Sequence, residues 1–367
     1  MDAMANGAAG SGVFPDEFGL ALACCKAAFR ASADESFDLA GIDWPRFVRL
    51  ARFHRIQGLA WSYLAARQSA VPEEASRALS ADAAAIAANN LTAAAECDEL
   101  SAEFEAAGVP LLFLKGLTLS ALAYHNPALK AAIDMDLLID PADLGKAALL
   151  LEHGGYRLFL PRRRSALDHW HRRSKESVWA RAAPALQIDL HTRTADNPRL
   201  IPSIDVHSPT QSVDIGSGIS LETLEDGELF AYLAVHGASS AWFRLKWIAD
   251  FAGLLEGRGA AEVEQLYERS QELGAGQAAG QALLLADRLF GTLKSASPLR
   301  QRLTADRQTR RLLETAFRML VRERGEPTER RFGTVSIHWT QFHLLPGFHY
   351  KLSELSRQLG SVVLRLR

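Results

Sequence analysis

A chain of 367 residues, 48% hydrophobic and 23% charged, has the length of about two domains and the balance of an ordinary globular protein. Its 41 Lys and Arg against 43 Asp and Glu leave a net charge of -2, so it lacks the bulk charge that marks a nucleic-acid coat or a membrane-surface protein. No apolar run approaches the roughly 20 residues a membrane-spanning helix needs.

In chain order, MDAMANGAAGSGVF has no basic n-region and no long apolar core. Residues 1–14 are therefore expected to be a flexible tail rather than a signal peptide. Residues 15–108 read as a helical region. PDEFGLALACCKAAFRAS starts with Pro and acids, as helix starts do. DWPRFVRLARFHRIQGLAWSYLAARQ places Phe47, Leu50, Phe53 and Ile56 at steps of three or four. The Ala-rich stretch from Pro72 ends at Gly108, a natural helix stop. Cys24, Cys25 and Cys97 form no metal-ligand spacing, which points to a reducing cytoplasm.

The period changes at residue 109. VPLLFLKG is a short buried strand, LTLSALAYHN a short helix and IDMDLLID a strand. PADLGKAALLLEHGG is a helix with Pro at its start and Gly at its end. YRLFL, SVWAR and LQIDLHT supply three more strands, with a basic, irregular segment after the first. Residues 109–220 thus read as a βαβαβ-type module with further strands. Helices return over residues 221–367, in LEDGELFAYLAVHGAS and AWFRLKWIADFAGLLEG, and continue to about Gly325. The aromatic stretch HWTQFHLLPGFHYKL fits no element clearly. The fold class is α+β: a small mixed-sheet module flanked by N- and C-terminal helical regions.

Within KAAIDMDLLID, alternation sets Ile133, Met135, Leu137 and Ile139 on one face and Asp134 and Asp136 on the other. Paired carboxylates on one strand face repel unless a cation lies between them, and oxygen ligands suit hard divalent cations. An isolated D-x-D is more often a solvated strand face. LQIDLHT adds Asp189 and His191 on one face of a second strand, the third carboxylate that a two-metal site needs. Lys115–Gly116 ends a strand and opens a helix, a junction that offers backbone N–H groups to phosphate. It is not a P-loop, since GxxxxGK[ST] occurs nowhere. RRRSALDHWHRRSKE carries Arg162, Arg163, Arg164, Arg172, Arg173 and Lys175, equally a solvated loop or a seat for triphosphate or an acidic acceptor. His169 and His171 within it have no third ligand nearby and read as surface residues. Asp140 precedes Pro141 and reads as a helix N-cap.

The order of these pieces resembles the DNA polymerase β-like nucleotidyltransferase superfamily, where a glycine-containing turn precedes a D-x-D strand and a later single Asp. Within it the chain looks like the bacterial "uncharacterised nucleotidyltransferase" family over residues 40 to 260, in FLKGLTLSALAYHNPALKAAIDMDLLIDPADLGKAALLLEHGGYRL, LQIDLHTRT and LAVHGASSAWFRLKWIADFAGLL. The resemblance implies a Mg²⁺- or Mn²⁺-dependent enzyme moving a nucleoside monophosphate from an NTP. Asp134, Asp136 and Asp189 fall on the metal-binding and catalytic carboxylates, and Lys115 and Gly116 on the nucleotide-side turn. Lys130 and Lys175 become phosphate-side cations. His191 becomes a group near the nucleotide that positions Asp189, or else makes a structural hydrogen bond in the sheet. His236, Trp242 and Asp250 match the family's later helices and read as packing and capping residues.

The superfamily's usual turn is Gly-Gly or Gly-Ser; Lys115 in its first place implies different triphosphate contacts in this branch. Family members accompany gene clusters for surface polysaccharides and for lasso peptides. The implied acceptor is therefore a hydroxyl of a small molecule, sugar or peptide, more than a nucleic acid, and no membrane partner is implied. A tRNA-modifying toxin and a non-catalytic nucleotide-binding protein are the alternatives on the same scaffold. Removing the Asp136 charge is expected to abolish turnover and to leave stability intact or improved, because like charges would be relieved.

Overall fold

Aspartate and proline set where the second helix begins. In α2 (Trp44–His54), the Asp43 carboxylate accepts the Arg46 N–H at 3.0 Å and Pro45 occupies the first turn, so the helix starts there. This computed structural model of the chain describes residues 14–30, 37–293, 298–322 and 325–365, with side chains to residue 360. The expected tail, except Phe14, lies outside the described residues. Helices α1 (Asp16–Phe29), α2 and α3 (Gln57–Leu64) lead into the 34-residue α4 (Glu73–Ala106).

Then come β1 (Leu112–Phe113), α5 (Leu117–Tyr124), β2 (Met135–Leu138), α6 (Leu144–His153), β3 (Arg157–Leu160), α7 (Leu167–His171), β4 (Glu176–Ala182) and β5 (Ala185–His191). A separate hairpin, β6 (Thr210–Asp214) and β7 (Ser220–Leu224), precedes the returning helices. These are α8 (Asp226–Ser239), α9 (Leu245–Leu255), α10 (Ala260–Glu272), α11 (Gln277–Phe290), α12 (Pro298–Ala305), α13 (Arg307–Val321), α14 (Val335–Phe342) and α15 (Phe348–Arg365). The aromatic stretch without a clear assignment thus forms the last two helices.

The fold is α+β. The main sheet has the order β1-β2-β5-β4-β3, with β2 and β5 parallel and every other neighbouring pair antiparallel. The sheet is mixed, as the sequence led us to expect: β1 runs antiparallel to β2, and α6 carries the chain from β2 to the opposite edge. Among the described residues the only parallel pair joins the two strands that carry the acids.

Two hydrophobic cores meet at this sheet. Leu137, Tyr156, Trp179, Ile188 and Leu190 pack with Leu100 and Phe104 of α4 and with Leu151 of α6. Leu112, Leu114 and Leu138 belong instead to the large core shared by α1–α3 and α8–α13. The Asp136 face of β2 is therefore covered by helices, not open to water, and Asp136 is 3% exposed. Ile133 stands before the strand begins and is exposed, so it is no member of the apolar row. Alternation extrapolates a strand past its ends; here the backbone leaves the sheet first.

Candidate active site at the junction of sheet and helices

The loop before β2 is positioned by two helices. The Asn90 amide of α4 donates to the Pro127 and Lys130 carbonyls at 2.8 and 2.7 Å, and its oxygen accepts the Ala132 N–H at 3.0 Å. On α3, a Cβ at Gly58 would meet the Leu129 carbonyl at 2.0 Å, so only glycine lets the loop lie this close. Gly116 has φ +76° and ψ -120°, a region essentially reserved for glycine, and it starts α5 directly after Lys115.

These supports bring together a cavity of about 150 Å³. Lys115, Gly116, Lys130, Asp134, Asp136, Lys175 and Asp189 all line it, so seven of the eight residues expected from the sequence converge. In the parallel pair Asp136 stands directly opposite Asp189. Lys115 Nζ is 2.8 Å from Asp136 Oδ1, and His191 Nε2 is 3.1 Å from the same oxygen. Burial alone would raise the Asp136 carboxyl, but Lys115 and His191 outweigh it and hold the group well below the carboxylate range. Asp189 has the opposite balance. Burial and the nearby charges of Asp136, Glu176 and Asp134 push its carboxyl up to about 7.

His191, the eighth, does not line the cavity. It is fully buried, and its Nε2 addresses Asp136 and, at 3.4 Å, Glu176. Asp189 is met instead by Gln187 Nε2 at 3.0 Å. Asp189 and His191 share a face of β5, but the ring reaches across to β2 rather than back along its own strand. Of the two readings of His191, the one that pairs it with Asp189 at the nucleotide is corrected: the ring makes its hydrogen bond within the sheet, to Asp136. His171 is corrected as well. It is 6% exposed, and its ring nitrogens each lie 2.9 Å from a hydroxyl, Thr192 Oγ1 and Ser177 Oγ. It ties α7 to the sheet, while Arg162, Arg163, Arg164, Arg172 and Arg173 are exposed.

Lys130 is 4% exposed and pairs with Asp250 of α9 at 2.8 Å; the Tyr124 hydroxyl donates to the other Asp250 oxygen at 2.9 Å. Asp250 is thus a buried counter-ion rather than a cap. Lys175 pairs with Glu176 at 2.5 Å. Burial opposes that charge separation, yet Lys175 holds the Glu176 carboxyl down at about 2. Trp242 is a packing residue, fully buried on the face of Gly237, whereas His236 lines the cavity.

Sequence reasoning missed Arg55, Glu176, Lys246 and Trp247, which also line the cavity. One signal was available: Lys246 and Asp250 lie four apart, on one face of an otherwise apolar helix. Arg55 has no such local mark.

Asp134, Asp136 and Asp189 offer the hard oxygen ligands that a divalent cation takes, and the mutual repulsion that raises Asp189 is what a cation would relieve. Among the described residues, no three acidic, histidine or cysteine side chains already converge on one point. The Lys115 ammonium supplies the positive charge at Asp136. The donor set fits a cation in chemistry, with Lys115 in the counter-charge role.

A family model described as "Uncharacterised nucleotidyltransferase" matches residues 40–291. That is more than half of the chain. No curated protein matches it.

Proposed function

The chain belongs to the uncharacterised nucleotidyltransferase family, and we propose that it moves a nucleoside monophosphate from an NTP to a hydroxyl of a small-molecule, sugar or peptide acceptor, using Mg²⁺ or Mn²⁺. The observation that carries this reading is the register: Asp136 and Asp189 face each other on adjacent parallel strands, with Asp134 at the strand entrance and cations around them. When bound, a divalent cation supplies charge neutralisation on the phosphates and on the attacking oxygen. Asp134, Asp136 and Asp189 would hold it.

The protein's own groups do the rest. His191 and Lys115 fix the Asp136 carboxylate. The Lys115–Gly116 turn presents backbone to the phosphates at the start of α5. Asp189 Oδ accepts the proton that the acceptor hydroxyl loses as it attacks the α-phosphorus, and pyrophosphate leaves. The cavity, at about 150 Å³, is smaller than the usual ligand pocket of ~300 Å³ or more. This favours a site that encloses the phosphates and leaves base and acceptor at the mouth.

Incubation with α-labelled NTPs, Mg²⁺ and candidate acceptors tests the reading. Label on a peptide, sugar or small molecule, with pyrophosphate released and both lost in Asp189→Asn, supports it. Label on tRNA moves the acceptor to nucleic acid. Absence of transfer from every NTP to every acceptor class rejects catalysis.

A further inference from the structure

The cavity pairs most of its cations and leaves two over. Lys115, Lys130 and Lys175 each have a carboxylate within 2.8 Å. Lys246 and Arg55 line the same cavity, and among the described residues neither side chain makes an ion pair or a hydrogen bond.

Lys246 is placed where a lone ammonium is hardest to keep. It is 9% exposed. It is the second residue of α9, at the positive end of the helix dipole. Burial, then the charges of Lys130 and Arg55, drive its ammonium down to about 7, although Asp134 and Asp250 pull the other way. Arg55 is also held at a cost. It ends α2 in the left-handed region, at φ 57° and ψ 44°, where a side chain with a Cβ is strained. Its neighbour His54 accepts the Leu245 N–H at 3.1 Å, which locks the α2–α3 corner onto the start of α9. Two unmatched cations, one buried and one on a strained corner, are thus brought to one cavity by tertiary contacts. Burial, the dipole of α9 and the neighbouring cations act against the Lys246 ammonium, and an anion beside it would relieve all three.

We propose that Lys246 and Arg55 form an anion subsite at the N-terminus of α9 that takes the terminal phosphates of the NTP. The identity of the anion rests on the nucleotidyl-transfer reading; the subsite itself rests on the unmatched charges. It assigns the helical regions on both sides of the sheet module a direct part in substrate binding, since Arg55 comes from the N-terminal helices and Lys246 from the C-terminal ones.

Sodium tripolyphosphate in chelator-treated buffer is the probe, read by calorimetry and thermal melting on the full chain, with NTP turnover measured alongside. Lys246→Met is expected to raise the melting temperature of the ligand-free protein and to weaken tripolyphosphate by about tenfold or more. Lys246→Arg keeps the charge and should retain binding. Arg55→Gln should weaken binding in the same direction. Wild-type affinity in Lys246→Met, or a lowered melting temperature with affinity kept, overturns the subsite. Turnover in the wild type with an unchanged KM in Lys246→Met also overturns it and leaves the transfer reading standing. Tripolyphosphate binding that depends on Lys246, in a protein that transfers no nucleotide, upholds the subsite and removes the transfer reading.

Discussion

Two concave regions of the molecule gather cations, and they treat them in opposite ways. The larger, about 1200 Å³, lies among α11–α14 and is lined by Arg300, Arg307, Arg310, Arg311, Arg318 and Arg322 among others. Most of it lies beyond residue 291, where the family match ends. Arg300 pairs with Asp287 and Arg288 with Glu314. Arg307, Arg310, Arg311, Arg318 and Arg322 are exposed and have no carboxylate partner among the described residues. Water solvates them, so leaving them unpaired costs little. In the small cavity at the sheet, Lys130, Asp136, Lys246 and Asp250 are all less than a tenth exposed. Three cations there are paired, and the unpaired Lys246 is driven toward neutrality. Burial, rather than size or number of charges, is what makes an unmatched cation informative about a ligand.

Substitutions in the two regions should therefore differ by far more than their charges do. The largest effect is expected at Asp136. Asp136→Asn should lower nucleotidyl transfer by at least about 10³-fold. It should also destabilise the fold by about 3 kcal/mol, because it strands a buried ammonium. Urea unfolding alongside the label assay checks both. This replaces the expectation that relieving like charges would leave stability untouched, since Lys115 and His191 both depend on this carboxylate.

Asp189→Asn separates the two effects. Transfer should fall comparably, while the melting temperature holds or rises, because the neighbours of Asp189 are carboxylates. A large loss of stability here would mean that Asp189 is engaged by a cation in the purified protein.

Lys246 gives a pH signature. Its folded-state value near 7 lies below the ordinary lysine value of 10.5. Between these values the unfolded chain binds more protons, so stability should rise with pH there. The penalty is fully present below pH 7. Wild type should gain up to about 1.4 kcal/mol per pH unit from pH 7 to 9 relative to Lys246→Met. Parallel pH profiles would show that the charge is already compensated. Arg310→Ala, in the open cleft, is the control for the comparison and should shift stability by less than about 0.5 kcal/mol. A shift several times larger would erase the contrast between the regions.

The acids were legible because a strand alternates every two residues: Asp136 and Asp189 announce themselves as polar positions in apolar rows. The Lys115–Gly116 turn was legible because a strand-to-helix junction needs glycine. Asp140 was legible as a cap and is one, accepting the Ala142 N–H at 2.7 Å. Hidden were Asn90, which holds the loop before β2 from within a long alanine-rich helix, and Arg55, whose αL corner looks like any basic helix end. His171 read as surface because no third metal ligand lies near it in sequence, but a five-residue helix turns it inward.

By itself the sequence determined which residue types occupy the faces of each element, the α+β order of those elements and the family of the chain. It could do so because helix and strand periods are local properties of a few residues. Only the tertiary structure decided which charges meet: Lys130 finds Asp250 across 120 positions, while Lys246, on the same helix as Asp250, has no ion-pair partner among the described residues. Coulomb attraction and desolvation depend on distance and burial rather than on order along the chain. The pairing, and the two cations it leaves over, therefore exist only once the helices close over the sheet.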